Sequence, residues 1–510
     1  MKKIINLFRL GLSAKKIRSS QTEAEKLLAR QALVRMLADA RGFSMKVGQL
    51  FANIDGNSEY QELVEGVAPF PLDQMLPVLE QDLGAPYHKV FKSIDEAVSA
   101  ASLGQVHFAE LITGEKVAIK IQYPDIAAAI DTELRLIGLF PGLGPVKQWG
   151  FNLEEYKVNF RNNMLRELDY LSEAKRQEYF AQAVCVEGLN VPEVYEKYCS
   201  ERVLVQSRAS GEMIHEIIDW PKNDRMIVGE ILLTTLFKSL FVAGEVHADP
   251  HAGNVFYAYD EQGLPVVSLL DYGCTVYVSE QRRLTLLNLI ISCRLKTQAN
   301  PLDSFVVLGF DADKLFHISH SLPVLCQYLF KPFVSNQPQI MATWHLEKNV
   351  SKLLGEKRWW FRSAGPADLL LLMRSFQGLM VQLQYLKVSL NWWDILNKAV
   401  GESLIQQAVV FTVPTVICKN NVSNISFFNQ ADKLCVQVFE NGVSNVSVTL
   451  PADAALDLES IMPEDVTILL GKSSSIDLDQ IMDNLRKNGL VPQILFDFEN
   501  KSKRYKVWLE

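Results

Sequence analysis

Apolar residues recur at spacings of three and four from Thr22 to Ala52, with Leu27, Leu28, Ala32, Leu33, Met36 and Leu37 in one stripe, and this period predicts a helix. A second helix is expected over Leu72–Leu83, entered through Pro69 and Pro71 and stopped by Gly84. The period then shortens. Residues 97–122 read as strands, and Lys116–Gln122 alternates in a run rich in Val and Ile. Residues 153–184 hold neither proline nor glycine and predict one long helix. Short strands are expected near Val191–Tyr195 and Arg202–Gln206, then a helix from Arg225 to Val242. Pro250 and Gly253 make His247–Asn254 a loop, followed by strands at Val255–Tyr259 and Val266–Leu270. From Gly273 to about Gln407 the pattern is mostly helical.

Residues 421–510 differ in character. Two alternating runs, Lys433–Glu440 and Val443–Leu450, flank Asn441-Gly442, the dipeptide that suits a two-residue hairpin turn. A helix near Leu478–Lys487 and strands near Gln493–Phe498 and Tyr505–Leu509 complete a small α+β unit. A chain of 510 residues exceeds what one core usually holds. The expected fold class is α+β, with a helical extension over residues 1–84, a mixed unit over 85–206, a helical unit over 207–420 and an accessory α+β domain over 421–510.

Composition narrows the function. Apolar residues make up 48% and charged residues 22%, an ordinary globular balance, and the net charge of -8 argues against a general nucleic-acid surface. Seven scattered cysteines without a Cys-x-x-Cys pair read as reduced, mostly buried thiols in a cytoplasmic protein. No segment reads as a membrane span, and the apolar run Ala408–Ile417 is short and contains Pro414. Arg9 interrupts the run Ile4–Leu12, so a signal peptide is not expected. Residues 1–20 carry Lys2, Lys3, Arg9, Lys15, Lys16 and Arg18 and no acid, interleaved with Ile4, Ile5, Leu7, Phe8, Leu10 and Leu12. Such a basic amphipathic helix suits peripheral contact with an anionic membrane; packing on its own domain is the other reading.

Three short motifs then give the chemistry. Val117-Ala118-Ile119-Lys120 has the strand pattern that presents a lysine to ATP phosphates in protein kinases. His247-x-Asp249 followed by Asn254 has the spacing of a kinase catalytic loop, in which Asp249 orients the nucleophile and Asn254 ligates Mg²⁺. Leu269-Leu270-Asp271-Tyr272-Gly273 is an apolar strand ending in Asp-aromatic-Gly, the metal-binding element. Singly each has a plain alternative: a snorkelling lysine, a polar turn or a strand end. A zinc site from His247, Asp249 and His251 lacks further ligands at suitable spacing.

Other residues resemble one branch, the UbiB/AarF-type atypical protein-kinase-like family. Ala100-Ala101-Ser102 stands where a glycine-rich loop would, and resembles that family's alanine-rich nucleotide loop. Lys46-Val47-Gly48-Gln49 and Glu167-Leu168-Asp169 resemble its Lys-x-Gly-Gln and Glu-x-Asp motifs. The resemblance covers roughly residues 25–400. It implies a bilobal protein-kinase-like fold with ATP and Mg²⁺ between the lobes, Lys120 paired with Glu173, and Lys46 and Gln49 folded toward Glu167 and Asp169 in a regulatory role. Gln206 and Arg208 fall in the segment joining the lobes, without the acidic residue expected there. The implied role is Mg²⁺-dependent ATPase or phosphotransferase activity supporting ubiquinone or isoprenoid-lipid metabolism, with lipid precursors, a membrane surface and lipid-biosynthesis enzymes as partners. Two other readings fit much of the same pattern: a small-molecule kinase of the aminoglycoside or choline type, and an ATP-gated scaffold without catalysis. Only a few residues separate Gly273 from a helix expected near Ser279, which leaves no peptide-docking segment.

Overall fold

The computed structural model describes residues 69–100, 103–127, 153–415, 426–428, 430–462, 466, 477–500 and 502–510. The first helix, α1 (Leu72–Leu83), ends at Gly84 in a left-handed conformation (φ 64°), as the glycine stop predicts. It packs on an antiparallel sheet of β1 (Phe91–Ala100), β2 (Gly104–Leu111), β3 (Lys116–Gln122) and, beyond a short β4 (Leu189–Asn190), β5 (Val203–Ser207), in the order β1-β2-β3-β5. Strand alternation divides β3. Val117, Ile119 and Ile121 face Met75 and Leu79 of α1 and are fully buried. Ala118, Lys120 and Gln122 therefore face the other way.

Two helices follow where the sequence pattern predicts one, and the second of them meets that other face through Glu173 and Tyr170. α2 (Leu153–Glu167) ends before Leu168, and α3 (Tyr170–Ala183) begins anew. Asp169 is the N-cap between them: its backbone is extended and its carboxylate accepts from the Ser172 N–H at 3.0 Å. A capping aspartate ends helical geometry without proline or glycine, so the stretch expected as one helix is two.

α4 (Lys222–Phe237) runs into a π-helical stretch, Lys238–Ala243, closed by Gly244 at φ 75°. Contrary to the expectation that no segment could span a bilayer, Lys222–Ala243 is long and apolar enough by length and composition, its most apolar 18-residue window having mean hydropathy 1.8. Half of its most apolar window is buried, and Val228, Leu233, Phe237 and Phe241 lie in the largest core cluster, as the central helix of a globular fold would.

After Gly244 come β6 (Glu245–His247), β7 (Val255–Tyr259), β8 (Pro265–Leu269) and β9 (Thr275–Tyr277). β6 pairs with β9, and β7 with β8. The loop from β6 to β7 and the loop from β8 to β9 are thereby forced side by side, joined by Leu270 N–H to Asn254 O (2.8 Å) and Ala248 N–H to Cys274 O (2.9 Å). α5 (Glu280–Leu295) follows directly; Ser279 precedes it without a side-chain cap. Several short helices lead to α6 (Leu369–Leu386) and α7 (Trp392–Val410).

Trp392 is fully buried among Phe237, Phe333, Trp344 and Phe376, with ring centroids 5.4–6.2 Å away. Trp392→Ala should cost about 3–5 kcal/mol of stability. Urea unfolding would register this as a lower midpoint at unchanged slope.

The last sheet is β10 (Lys433–Glu440), β11 (Val443–Pro451), β12 (Gln493–Asn500) and β13 (Lys503–Leu509), in the order β11-β10-β13-β12, with α8 (Leu478–Asn488) against it. Asn441 and Gly442 both take positive φ (50° and 82°), as a two-residue hairpin of this hand requires. Leu434, Phe496 and Val507 share one apolar cluster with Leu289, Cys293 and Leu325, so this sheet and α5 bury a common surface.

Candidate active site

Lys120 stands at the start of the site because β3 alternates: its polar face looks at α3. The ammonium lies 2.9 and 3.0 Å from the two Glu173 carboxylate oxygens and 3.1 Å from Asp271 Oδ1. The Tyr170 ring centroid is 4.9 Å from the same nitrogen. Glu173 is 1% exposed and Lys120 14%, so neither charge could persist there alone. Burial pulls the Lys120 ammonium down, but Asp271 and Glu173 more than offset it and hold the group well above its ordinary value. Burial pushes the Glu173 carboxyl up to about 7, against the pull of Lys120.

Asp271, two residues beyond β8, takes a left-handed backbone (φ 60°) and accepts from the Gly273 N–H at 3.1 Å. Tyr272 is fully buried, its ring against Phe180 and His247 at 5.1 and 5.2 Å. Arg176 of α3 ties the turn from outside, donating to the carbonyls of Tyr272 (3.1 Å) and Gly273 (3.3 Å).

The neighbouring loop is held by its own side chains. His247 Nε2 lies 3.0 and 2.8 Å from the carbonyls of Leu270 and Asp271, and its Nδ1 accepts from the Asp249 N–H (3.3 Å). Both ring nitrogens are therefore engaged, which leaves no lone pair for the zinc alternative. Burial also depresses the imidazole's pKa. Asn254 donates its amide N–H to the Asp249 carbonyl at 3.0 Å. The Asp249 carboxylate lies 2.6 Å from the guanidinium of Arg374, which comes from α6.

The structure thus brings Lys120, Glu173, Asp249, Asn254 and Asp271 onto two adjoining turns and the strand and helix that face them. Glu167 is buried at the end of α2, with Arg374 and Tyr170 within its electrostatic reach, whereas Asp169 is exposed and caps α3. Gln206 pairs with Ala118 on the sheet and accepts from Gln177 at 2.7 Å. Arg208 stacks on Phe108 (3.8 Å) and pairs by its backbone with Lys116, four residues or about 13 Å of strand from Lys120, so it does not join the cluster. Ala100 ends β1 opposite Gln105. Ala101, Ser102, Lys46, Gln49 and the basic stretch 1–20 lie outside the described residues.

Sequence reasoning passed over several contributors. Tyr170 and Arg176 sit in the same helix as Glu173, and their spacing from it gave a usable signal. Gln105 exchanges two hydrogen bonds with the Phe70 backbone (2.7 and 2.8 Å) and a third with His107 (2.9 Å), tying the segment before α1 to β2. Gly104 beside it has no room for a side chain: a Cβ would stand 2.3 Å from the Ile121 carbonyl oxygen. Arg374 follows no local motif.

The donor set suits magnesium. Asp271 offers a carboxylate and Asn254 an amide oxygen, hard ligands of the kind that hold Mg²⁺ through one or two protein groups, with phosphate and water completing the shell. Among the described residues no group of three His, Cys, Asp or Glu side chains forms a closed metal cage.

Comparison with known proteins bears on this geometry. Residues 62–302 match the model of the ABC1 atypical kinase-like domain. The chain is 28% identical over 291 residues to the ABC1 family protein C10F6.14c of Schizosaccharomyces pombe, covering 52% of this chain and 54% of that one. It is 30% identical over 298 residues to the chloroplastic protein ACTIVITY OF BC1 COMPLEX KINASE 1 of Arabidopsis thaliana (55% and 42%), and 25% identical over 279 residues to the mitochondrial atypical kinase COQ8 of Saccharomyces cerevisiae (53% and 55%). The chain spans about half the length of the curated relatives it matches. With the kinase-order motifs gathered on two adjoining turns and the matching domain lying across them, this chain carries an ABC1 atypical kinase-like domain, of the UbiB type, over residues 62–302.

Proposed function

We propose that this protein is a Mg²⁺-dependent ATPase or phosphotransferase in which the β1-β2-β3-β5 sheet with α1–α3 forms one lobe, the helical part another, and ATP lies between them. The observation that carries the reading is Lys120 held by Glu173 and Asp271, residues 53 and 151 positions away in the chain. An ammonium fixed between two carboxylates is pre-set to accept an anionic ligand, since phosphate oxygens can take over one of its partners.

In this reading Lys120 binds the α and β phosphates, and Glu173 fixes its direction. Asp271 and Asn254 hold Mg²⁺. Asp249 orients the attacking hydroxyl or water. Ala100, Ala101 and Ser102 cover the nucleotide, and Gln206 lies on its adenine side; the stacking of Arg208 on Phe108 argues for a place at the rim. ATP with its metal supplies the transferable phosphoryl group, and the side chains position and neutralise it. Lys46 and Gln49 in the extension 1–84, with Glu167, regulate access. Residues 85–206, 207–420 and 421–510 are the remaining units. The short link from Gly273 to α5 favours a small or lipid-like acceptor, or plain hydrolysis, over a docked peptide. Support of ubiquinone or isoprenoid-lipid metabolism, at a membrane reached through residues 1–20, follows from the family and is part of this proposal.

Asp271→Asn tests the metal assignment. At saturating Mg²⁺ it should weaken ATP binding about tenfold, or about 1.4 kcal/mol, and remove the dependence of affinity on Mg²⁺. Titration calorimetry with and without Mg²⁺ reads both, and an unchanged Mg²⁺ response would refute the assignment.

A further inference from the structure

Three residues of α6, Arg374, Gly378 and Gln382, stand four apart and so form one stripe along the helix. All three meet the two residues at the turn of the catalytic loop. The Arg374 guanidinium lies 2.6 Å from the Asp249 carboxylate. Gln382, 1% exposed, donates to the Pro250 carbonyl at 2.7 Å and accepts from the buried Tyr257 hydroxyl with its other amide atom. Between them Gly378 lets the backbones close up: a Cβ there would stand 2.9 Å from the Pro250 carbonyl oxygen and 3.0 Å from its ring. One charged contact, one bare patch and one amide contact in register match the turn's side chain, ring and carbonyl. α6 lies beyond residues 62–302, so this stripe is outside the segment that matches the family domain.

We infer that the Arg374–Gly378–Gln382 face of α6 is a positioning element for Asp249, with Arg374 aiming the carboxylate and Gly378 and Gln382 fixing the peptide that carries it. The inference rests on the reading that Asp249 orients the nucleophile during ATP turnover. Arg374 acts here through Asp249. A two-point grip on a carboxylate and on the next carbonyl restrains the Asp249–Pro250 segment at both of its residues. Small misplacements of such a group are expensive: about 1 Å costs about 10²-fold in rate.

The test uses the full chain with Mg²⁺ and ATP. Arg374→Ala should lower kcat about 10²-fold while the KM for ATP stays within about threefold, because Arg374 bonds directly to Asp249 and reaches Asp271 of the Lys120 pocket only through its longer-range charge. Arg374→Lys should recover part of the rate, since a point charge replaces a planar fork. Gly378→Ala keeps every charge and should also lower kcat alone; with Arg374→Lys it carries the test if Arg374→Ala does not fold. In an Asp249→Asn background, Arg374→Ala should cost less than about twofold more, the mark of residues acting as one unit. An Arg374→Ala enzyme with kcat within about twofold of the parent overturns the inference, and so do losses that multiply in the double variant. If the unmodified chain neither binds nor turns over ATP, the proposed function itself fails and the inference with it.

Discussion

Lys120→Met should abolish ATP turnover and, at pH 8, lower the unfolding free energy by about 3–5 kcal/mol. The reason is the company the lysine keeps. Glu173 is 1% exposed, and its carboxylate bonds to the ammonium through both oxygens, so truncation leaves a buried charge without its counterion. The sign of the pH dependence follows from the direction of the Glu173 shift. Burial raises its carboxyl from 4.5 in the unfolded chain to about 7 in the fold. A group raised in this way favours the folded state fully below 4.5, and that contribution is lost as pH rises through about 7. Lys120 pulls this carboxyl down, so its loss raises Glu173 further, and the variant's deficit should be larger at pH 8 than toward pH 5, where the carboxyl is neutral in both proteins. Adding Glu173→Gln to Lys120→Met should recover much of the loss at pH 8. Urea unfolding at the two pH values measures it; a deficit that stays constant with pH contradicts the account.

Asp249→Asn should cut turnover by about 10²–10⁴-fold and leave ATP affinity nearly unchanged. The asparagine still offers an oxygen to Arg374, and the bond from Asn254 goes to the Asp249 backbone carbonyl, so the loop keeps its supports. What disappears is the carboxylate that aligns the attacking oxygen. Single-turnover hydrolysis set beside calorimetric binding separates the two effects. Undiminished single-turnover rates would remove Asp249 from the role given to it, and a large loss of affinity would place it among the phosphate ligands instead.

The asymmetry between these variants reflects how the site is built. Lys120 and Glu173 are mutually dependent for charge compensation in a dry interior, so their chemistry and stability cannot be separated. Asp249 is held by contacts that tolerate an isosteric amide, so its chemistry can be removed while the fold stands.

Much of the site was legible because its parts are local patterns. The Val-Ala-Ile-Lys strand, the His-x-Asp loop and the Asp-Tyr-Gly turn each carry their conformation in a few neighbouring residues, as do the stop at Gly84 and the Asn441-Gly442 hairpin. The departures from the expected pattern also have local causes. The break at Asp169 lacks proline and glycine, and the aspartate ends the helix by capping Ser172. The Lys222–Ala243 helix is apolar enough to resemble a span because it is the central core helix.

By itself the sequence determined which residues could do chemistry, the face of β3 from which Lys120 projects, and the turns that carry Asp249 and Asp271, since these depend on strand alternation and turn propensity over a few positions. Only the tertiary structure decided that the β6–β9 and β7–β8 pairings set those turns against each other, that α6 reaches them with Arg374, Gly378 and Gln382, and that the last sheet shares its core with α5. Each of these joins residues tens to hundreds of positions apart. An apolar or charged side chain declares that it needs a partner, but the partner is chosen by packing, which acts on the folded surface and leaves no mark in the neighbouring sequence.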